Sequence, residues 1–145
     1  MRVRLPVVLV VLFQLVCLVV GAQGPETPTP AATPTPEVPP ALSSPRATMA
    51  TFLEAFYADE GPELDSAVEC LDLSRLPAQA RALKGRELAV KLKEVVDRTE
   101  FVVLDEIPDH SEGPPYVFLR DADGEVVISR RDDGRWLFSA ATVEG

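Results

Sequence analysis

The chain has 145 residues, with 14 basic and 23 acidic side chains and a net charge of −9. That length suits a single ordinary domain, and that charge excludes binding of nucleic acid by electrostatic attraction to phosphate. Two cysteines and one histidine exclude a disulfide-dense scaffold and a histidine-based metal cluster.

The N-terminus, MRVRLPVVLVVLFQLVCLVVGAQG, places Arg2 and Arg4 before an almost purely apolar run over 5–20 and then Val20-Gly21-Ala22. This is the pattern of a secretory signal peptide over 1–22, with cleavage between Ala22 and Gln23. The rival reading is an uncleaved inner-membrane anchor, because the apolar run approaches the roughly 18 to 20 residues needed to span a bilayer. Pro6, Gln14 and the small-residue exit favour cleavage. Cys17 follows Val16 inside the apolar run, which does not fit the small residue that precedes a lipidated cysteine. Cleavage takes two of the 14 basic residues, Arg2 and Arg4, leaving 12 against 23 acids and a net charge of −11. It also leaves Cys70 as the only thiol, so the expected exported domain is held by its core and not by a disulfide. Among Ala67, Val68 and Leu71, Cys70 is read as a buried, inert thiol. The expected location is the periplasm or the cell exterior.

Residues 23–44 are rich in proline and threonine, GPETPTPAATPTPEVPPALSS after Gln23. Proline at this density removes backbone donors and fixes φ, so the segment is expected to be an extended tether.

Residues 45–145 remain, enough for one core. Ser44-Pro45 reads as an N-cap followed by proline at the first helical position, and Met49, Phe52, Leu53, Phe56 and Tyr57 recur at helical spacing. Gly61-Pro62 stops this helix and opens a second to about Cys70, with Leu64, Ala67, Val68 and Leu71 facing inward. A third helical region follows LDLSRLP, with Asp72 or Ser74 as cap and Pro77 opening the turn. Its apolar face is expected at Ala80, Leu83, Leu88, Leu92, Val95 and Val96, with Gly85 as a site of kinking or division. Glu87 with Lys91 and Glu94 with Arg98 form favourable pairs. The cations Lys84, Arg86, Lys91, Lys93 and Arg98 are read as a solvated face.

After Thr99 the pattern changes to FVVLDEIPD, YVFLRD, EVVISRR and RWLFSA, short β-branched and aromatic runs separated by Pro, Gly and Asp, which predict strands. The fold class is therefore α+β, about three N-terminal helices packed on a small C-terminal antiparallel sheet. In RWLFSA, strand alternation sends Trp136 and Phe138 to one face and Arg135 and Leu137 to the other. Phe52, Phe56, Trp136 and Phe138 are thus the expected core anchors.

The stretch RDADGEVVISRRDDGRW gathers Asp121, Asp123, Glu125, Asp132 and Asp133, which raises the question of a calcium loop. Asp123-Gly124 and Asp133-Gly134 sit between strand runs, where tight hairpin turns need positive φ. A calcium loop needs six or more oxygens and a closing acid, and a strand begins immediately after Glu125. His110 lies in the polar segment DHSEGPP and is read as an exposed loop residue. No phosphate loop, nucleophile elbow or paired-cysteine motif occurs, so no catalytic residue, metal ligand or cofactor is assigned. Arg46 lies in the first turn of the first helix, where the dipole disfavours a cation. A structural ion pair with Asp72 or Asp109 is the expected remedy, and exposure to water is the alternative.

The phrases Ser44-Pro45-Arg46-Ala47-Thr48-Met49, Cys70-Leu71-Asp72-Leu73-Ser74, the run LAVKLKEVVDR over 88–98, Ile107-Pro108-Asp109 and the run DGRWLFS over 133–139 together resemble the periplasmic N-terminal extension of bacterial small-conductance mechanosensitive channel (MscS-type) proteins. The resemblance covers nearly all of 45–143. It implies an exported, non-enzymatic domain that acts by protein contact on an envelope or membrane protein. No apolar segment long enough to span a membrane follows Trp136, so no pore or gating residue carries over. The expectation is either a free-standing relative of that extension or part of a longer chain. The rival function is a small-ligand binder or hydrolase with a pocket between helices and sheet, which a deep cavity at Phe52, Phe56 and Trp136 would favour. Oligomeric state is not legible from these patterns.

Overall fold

The structure is a computed structural model and describes residues 37–99, 101–122 and 124–144. The leader with Ala22 and Gln23, most of the proline-rich stretch and Asp123 lie outside the described residues. The elements in order are α1 (Pro45–Glu54), α2 (Leu64–Glu69), α3 (Ala78–Thr99), β1 (Tyr116–Arg120), β2 (Glu125–Arg130), β3 (Trp136–Phe138) and a short α4 (Ala140–Glu144). This is the expected α+β arrangement of helices followed by an antiparallel sheet, with one more helix turned back at the end.

Helix α1 starts where Ser44 adopts an extended backbone and its Oγ accepts the Ala47 amide at 3.1 Å, with Pro45 at the first helical position. Pro45, Thr48, Met49 and Phe52 form its buried stripe. The folded part begins before Pro45: a 3-10 turn at Pro40–Leu42 packs on α1 and buries Leu42. The stripe stops at Phe52 because the helix ends at Glu54. Phe56 and Tyr57 lie in the turn beyond it, Phe56 half-buried and Tyr57 70% exposed.

Helix α3 runs unbroken through Gly85, so the expected kink is absent. Its buried positions are Gly85, Ala89, Leu92, Lys93 and Val96. Leu83, expected inward, is 81% exposed, and Val95 is exposed as well. The reason is close packing: a Cβ added at Gly85 would stand 3.0 Å from Leu73 Cδ1 and 3.0 Å from Val68 Cγ1. The small residues Gly85 and Ala89 bring α3 onto α2 and Leu73, and this rotates the seam away from Leu83.

The run over 101–109, read as a strand, is a 3-10 turn at Leu104–Glu106 within irregular chain. Its carbonyls are taken by the start of α1 and not by a neighbouring strand. The Arg46 amide donates to Pro108 O at 3.1 Å, and the Arg46 side chain reaches Ile107 O and Asp105 O. Ile107 fills the core, while Phe101 and Val103 face solvent.

The sheet order is β1-β2-β3, antiparallel throughout, with Tyr116 opposite Ile128 and Ser129 opposite Leu137. The first hairpin closes with the Asp121 amide donating to Gly124 O and the Gly124 amide donating to Asp121 Oδ1, both at 3.0 Å. The second turns at Gly134, whose φ of 88° is the left-handed conformation that glycine permits. Strand β3 is paired on both edges, because Phe138 N donates to Cys70 O at 2.9 Å and Asp72 N donates to Phe138 O at 2.9 Å. Trp136, Leu137 and Phe138 are all buried, so both faces of β3 are covered, with Trp136 and Phe138 on one and Leu137 on the other. Helix α4 packs back on β2 and brings Val143 into the same core cluster as Leu137. In that core the Phe52 ring meets Phe138 edge-on at 4.9 Å and Phe56 at 5.4 Å.

Candidate functional site

Where helices meet sheet, the space is filled by side chains. Phe52, Trp136 and Phe138 are fully buried, and the Trp136 indole N–H donates to Ser111 O at 3.1 Å. Cys70 is enclosed there too, and burial, helped by Glu69, pushes its thiol up to about 12, which keeps it protonated and unreactive. His110 sits exposed in its loop with its ring edge-on to Trp136 at 5.7 Å.

In RDADGEVVISRRDDGRW the carboxylates of Asp121, Glu125 and Asp133 are occupied by turns and guanidinium groups. Asp121 caps its own turn, and Glu125 accepts from Arg120 at 2.5 Å. Asp133 accepts from the Arg135 amide at 3.1 Å and from its guanidinium at 2.7 Å. The guanidinium outweighs partial burial and holds the Asp133 carboxyl below the ordinary carboxylate range. Among the described residues, no three His, Cys, Asp or Glu side chains come together as metal ligands would.

The two acids considered for Arg46 separate. Arg46 Nη1 stands 3.7 Å from Asp109 Oδ2, and the other Asp109 oxygen accepts from Ser44 Oγ at 2.6 Å. Asp109 therefore joins the cap of α1 to the guanidinium beside it. Asp72 does not meet Arg46 but takes Arg131 at 2.5 Å, because the pairing of its segment with β3 leaves it beside the β2–β3 turn. Burial works against the Asp72 carboxylate, but hydrogen bonds from Ser74 and Arg131 overcome it and lower its pKa below the usual value. Both clusters join chain segments distant in sequence, and Asp72 also lines a small cleft with Leu76 and Val143.

A concave feature lies elsewhere, between the end of α1 and the end of α3. Leu53, Tyr57, Val96, Asp97, Arg98, Thr99, Phe101 and Val102 line an open cleft of about 440 Å³. Phe101 is 99% exposed, an extreme value for so large an apolar side chain. Lys93, which the sequence reading placed on a solvated face, is buried at the inner edge of this region. Its Nζ donates to Asp97 at 2.5 and 2.7 Å and to Tyr57 Oη at 3.1 Å, and lies 4.7 Å from the centre of the Tyr57 ring. Burial pulls the Lys93 pKa down, but the bonds to Asp97 and Tyr57 more than reverse this, so the ammonium stays charged. It holds the Tyr57 ring in place while most of that ring remains in solvent. Sequence reasoning missed this site because the stripe from Phe52 to Tyr57 looked continuous. Gly61-Pro62 marked a stop, but the helix ends earlier, at Glu54, and leaves Tyr57 outside it.

A smaller cleft of about 220 Å³ lies between Leu76, Leu88 and Val143, where Arg75 is engaged by Glu144 at 2.9 Å. No helix among the described residues is long and apolar enough to cross a membrane. No family model matches the chain, and neither a curated protein nor a solved structure matches it.

Proposed function

We propose that this chain is an exported, non-enzymatic domain of the bacterial envelope that acts by protein contact, with the cleft at Tyr57 and Phe101 as its contact surface. The observation that carries the reading is the pair of exposed aromatic rings on an open cleft, one of them braced by a buried lysine. Exposed aromatic side chains in a shaped surface are the residue types that anchor protein interfaces. The filled interior at Phe52 and Trp136 favours surface contact over a ligand pocket between helices and sheet. The signal-like leader and the proline-rich tether support export and presentation away from the membrane, and the resemblance to the channel extension supports an envelope or membrane protein as partner.

The test is native-gel mobility of the exported chain in a periplasmic extract. The parent chain should migrate in an assembly larger than the free domain, and Tyr57→Ser with Phe101→Ser should release it. Identical mobility of parent and variant would overturn the reading.

A further inference from the structure

The smaller cleft, beside the first turns of α3, joins an apolar floor to a charged rim. Leu76 and Leu88, both half-buried, and the buried Val143 form the floor. Four charged side chains stand on the rim, and three of them are in ion pairs: Asp72 takes Arg131 at 2.5 Å, and Glu144 takes Arg75 at 2.9 Å. The fourth, Lys84, is exposed and has no ion pair among the described residues. Glu87, the nearest acid along the same helix, is held by Lys91 at 2.7 Å. The Arg75–Glu144 pair is also incomplete. Arg75 donates through Nη1 to Glu144 Oε2, while its Nε and Nη2 have no acceptor, and Glu144 Oε1 has no donor, among the described residues. With Asp72 and Glu144 each matched by an arginine, Lys84 leaves this rim with one positive charge in excess, on a chain whose net charge is −9.

We propose that this cleft receives the C-terminal residue of a partner protein, with its carboxylate on Lys84 and Arg75 and an aliphatic side chain on Leu76, Leu88 and Val143. A monoanion matches the single excess charge, whereas a dianion such as phosphate meets Asp72 and Glu144 on the same rim. The two oxygens of a carboxylate suit the open N–H groups of a guanidinium. The cleft, about 220 Å³, is smaller than the about 300 to 1,000 Å³ of ordinary small-molecule pockets, so it has room for one residue at the end of a longer chain. The amide N–H of that residue finds its acceptor in Glu144 Oε1, which a simple aliphatic acid leaves unused. A free amino acid carries an ammonium that cancels the charge match. The inference goes beyond the contact reading at Tyr57 and stands or falls separately from it.

The experiment is an amide NMR titration of the exported chain with N-acetyl-leucine, which has the charge and side chain of a C-terminal leucine. Three parallel probes each lack one feature: N-acetyl-leucinamide the carboxylate, N-acetyl-glycine the side chain, and 4-methylpentanoate the amide. Free leucine is the fourth. N-acetyl-leucine should move the Leu76, Lys84, Leu88 and Val143 signals saturably and bind at least fivefold more tightly than any of the four. Lys84→Met should weaken it at least fivefold, and this variant should fold because the side chain is exposed. Lys84→Arg should retain binding, and Lys91→Met, on the same helix but away from the cleft, should leave it unchanged. No saturable response, an equal response to N-acetyl-leucinamide, or equal weakening by Lys91→Met would overturn the proposal. Equal or tighter binding of free leucine or 4-methylpentanoate would assign the cleft to a small free acid and overturn the chain terminus.

Discussion

Thr48 Oγ1 donates a 2.7 Å hydrogen bond to the carbonyl of Trp136, and both residues are fully buried. This bond joins the middle of α1 to the first residue of β3, and the indole of that same residue is bonded to Ser111 in the loop before β1. Trp136 thus joins the helical half to the sheet half through its backbone, its ring nitrogen and its apolar surface. Trp136→Ala should lower unfolding free energy by about 3 to 5 kcal/mol. Thr48→Val keeps the shape but leaves the carbonyl unpaired, and should cost about 1 to 3 kcal/mol. Denaturant unfolding measures both. A Trp136→Ala loss under about 1 kcal/mol would contradict the burial described above.

The Arg46–Asp109 and Asp72–Arg131 ion pairs should differ in strength. Arg46 and Asp109 are both partly exposed and 3.7 Å apart, whereas the Asp72 side chain is 12% exposed and touches Arg131 at 2.5 Å. Double-mutant cycles should give about 0.3 to 1 kcal/mol for the first, and a larger coupling for the second. The cycle between Arg46 and Asp72 should give no coupling, because each has another partner.

Asp72 also gives a pH signature. Its pKa is lowered in the folded chain because hydrogen bonds from Ser74 and Arg131 outweigh the opposing effect of burial. A depressed carboxylate contributes stability that is present above the unfolded value of about 3.9 and is lost as pH falls through the folded value. The stability difference between parent and Asp72→Asn should therefore be constant near neutrality and shrink steadily below about pH 5. A difference that does not change down to about pH 2 would show that the ionised carboxylate adds nothing.

Processing of the leader is the premise for the envelope reading. Mass spectrometry of the exported product should give a chain beginning at Gln23. Retention of Arg2 would indicate an uncleaved anchor.

Local grammar made much of the fold legible, and long-range packing accounts for the rest. Ser44-Pro45 marked the start of α1, and the two Asp-Gly turns marked the hairpins, because caps and tight turns depend on a few adjacent residues. The phase of α3 was not legible: Leu83 and Val95 have the composition of a core face, yet Gly85 and Ala89 decide which side approaches α2. The run over 101–107 has strand composition, but the start of α1 claims its carbonyls. Which acid stands near Arg46 likewise depends on the loop over 107–109 passing the start of α1. The cleft was least visible. It depends on an internal lysine sequestered by Asp97 and Tyr57 in a helix whose other cations face water, and on Phe101 being left outside the core.

The claim that Tyr57 and Phe101 form the contact surface is tested most directly by site-specific photo-crosslinking in cells that export the chain. A photoreactive phenylalanine would replace Tyr57, Phe101 or Leu83 in turn. Leu83 is 81% exposed and apolar but does not line the cleft, so it controls for nonspecific apolar contact. The account predicts one discrete product, the same from positions 57 and 101, and none from position 83. Equal products from all three positions, or a product from position 83 alone, would contradict it.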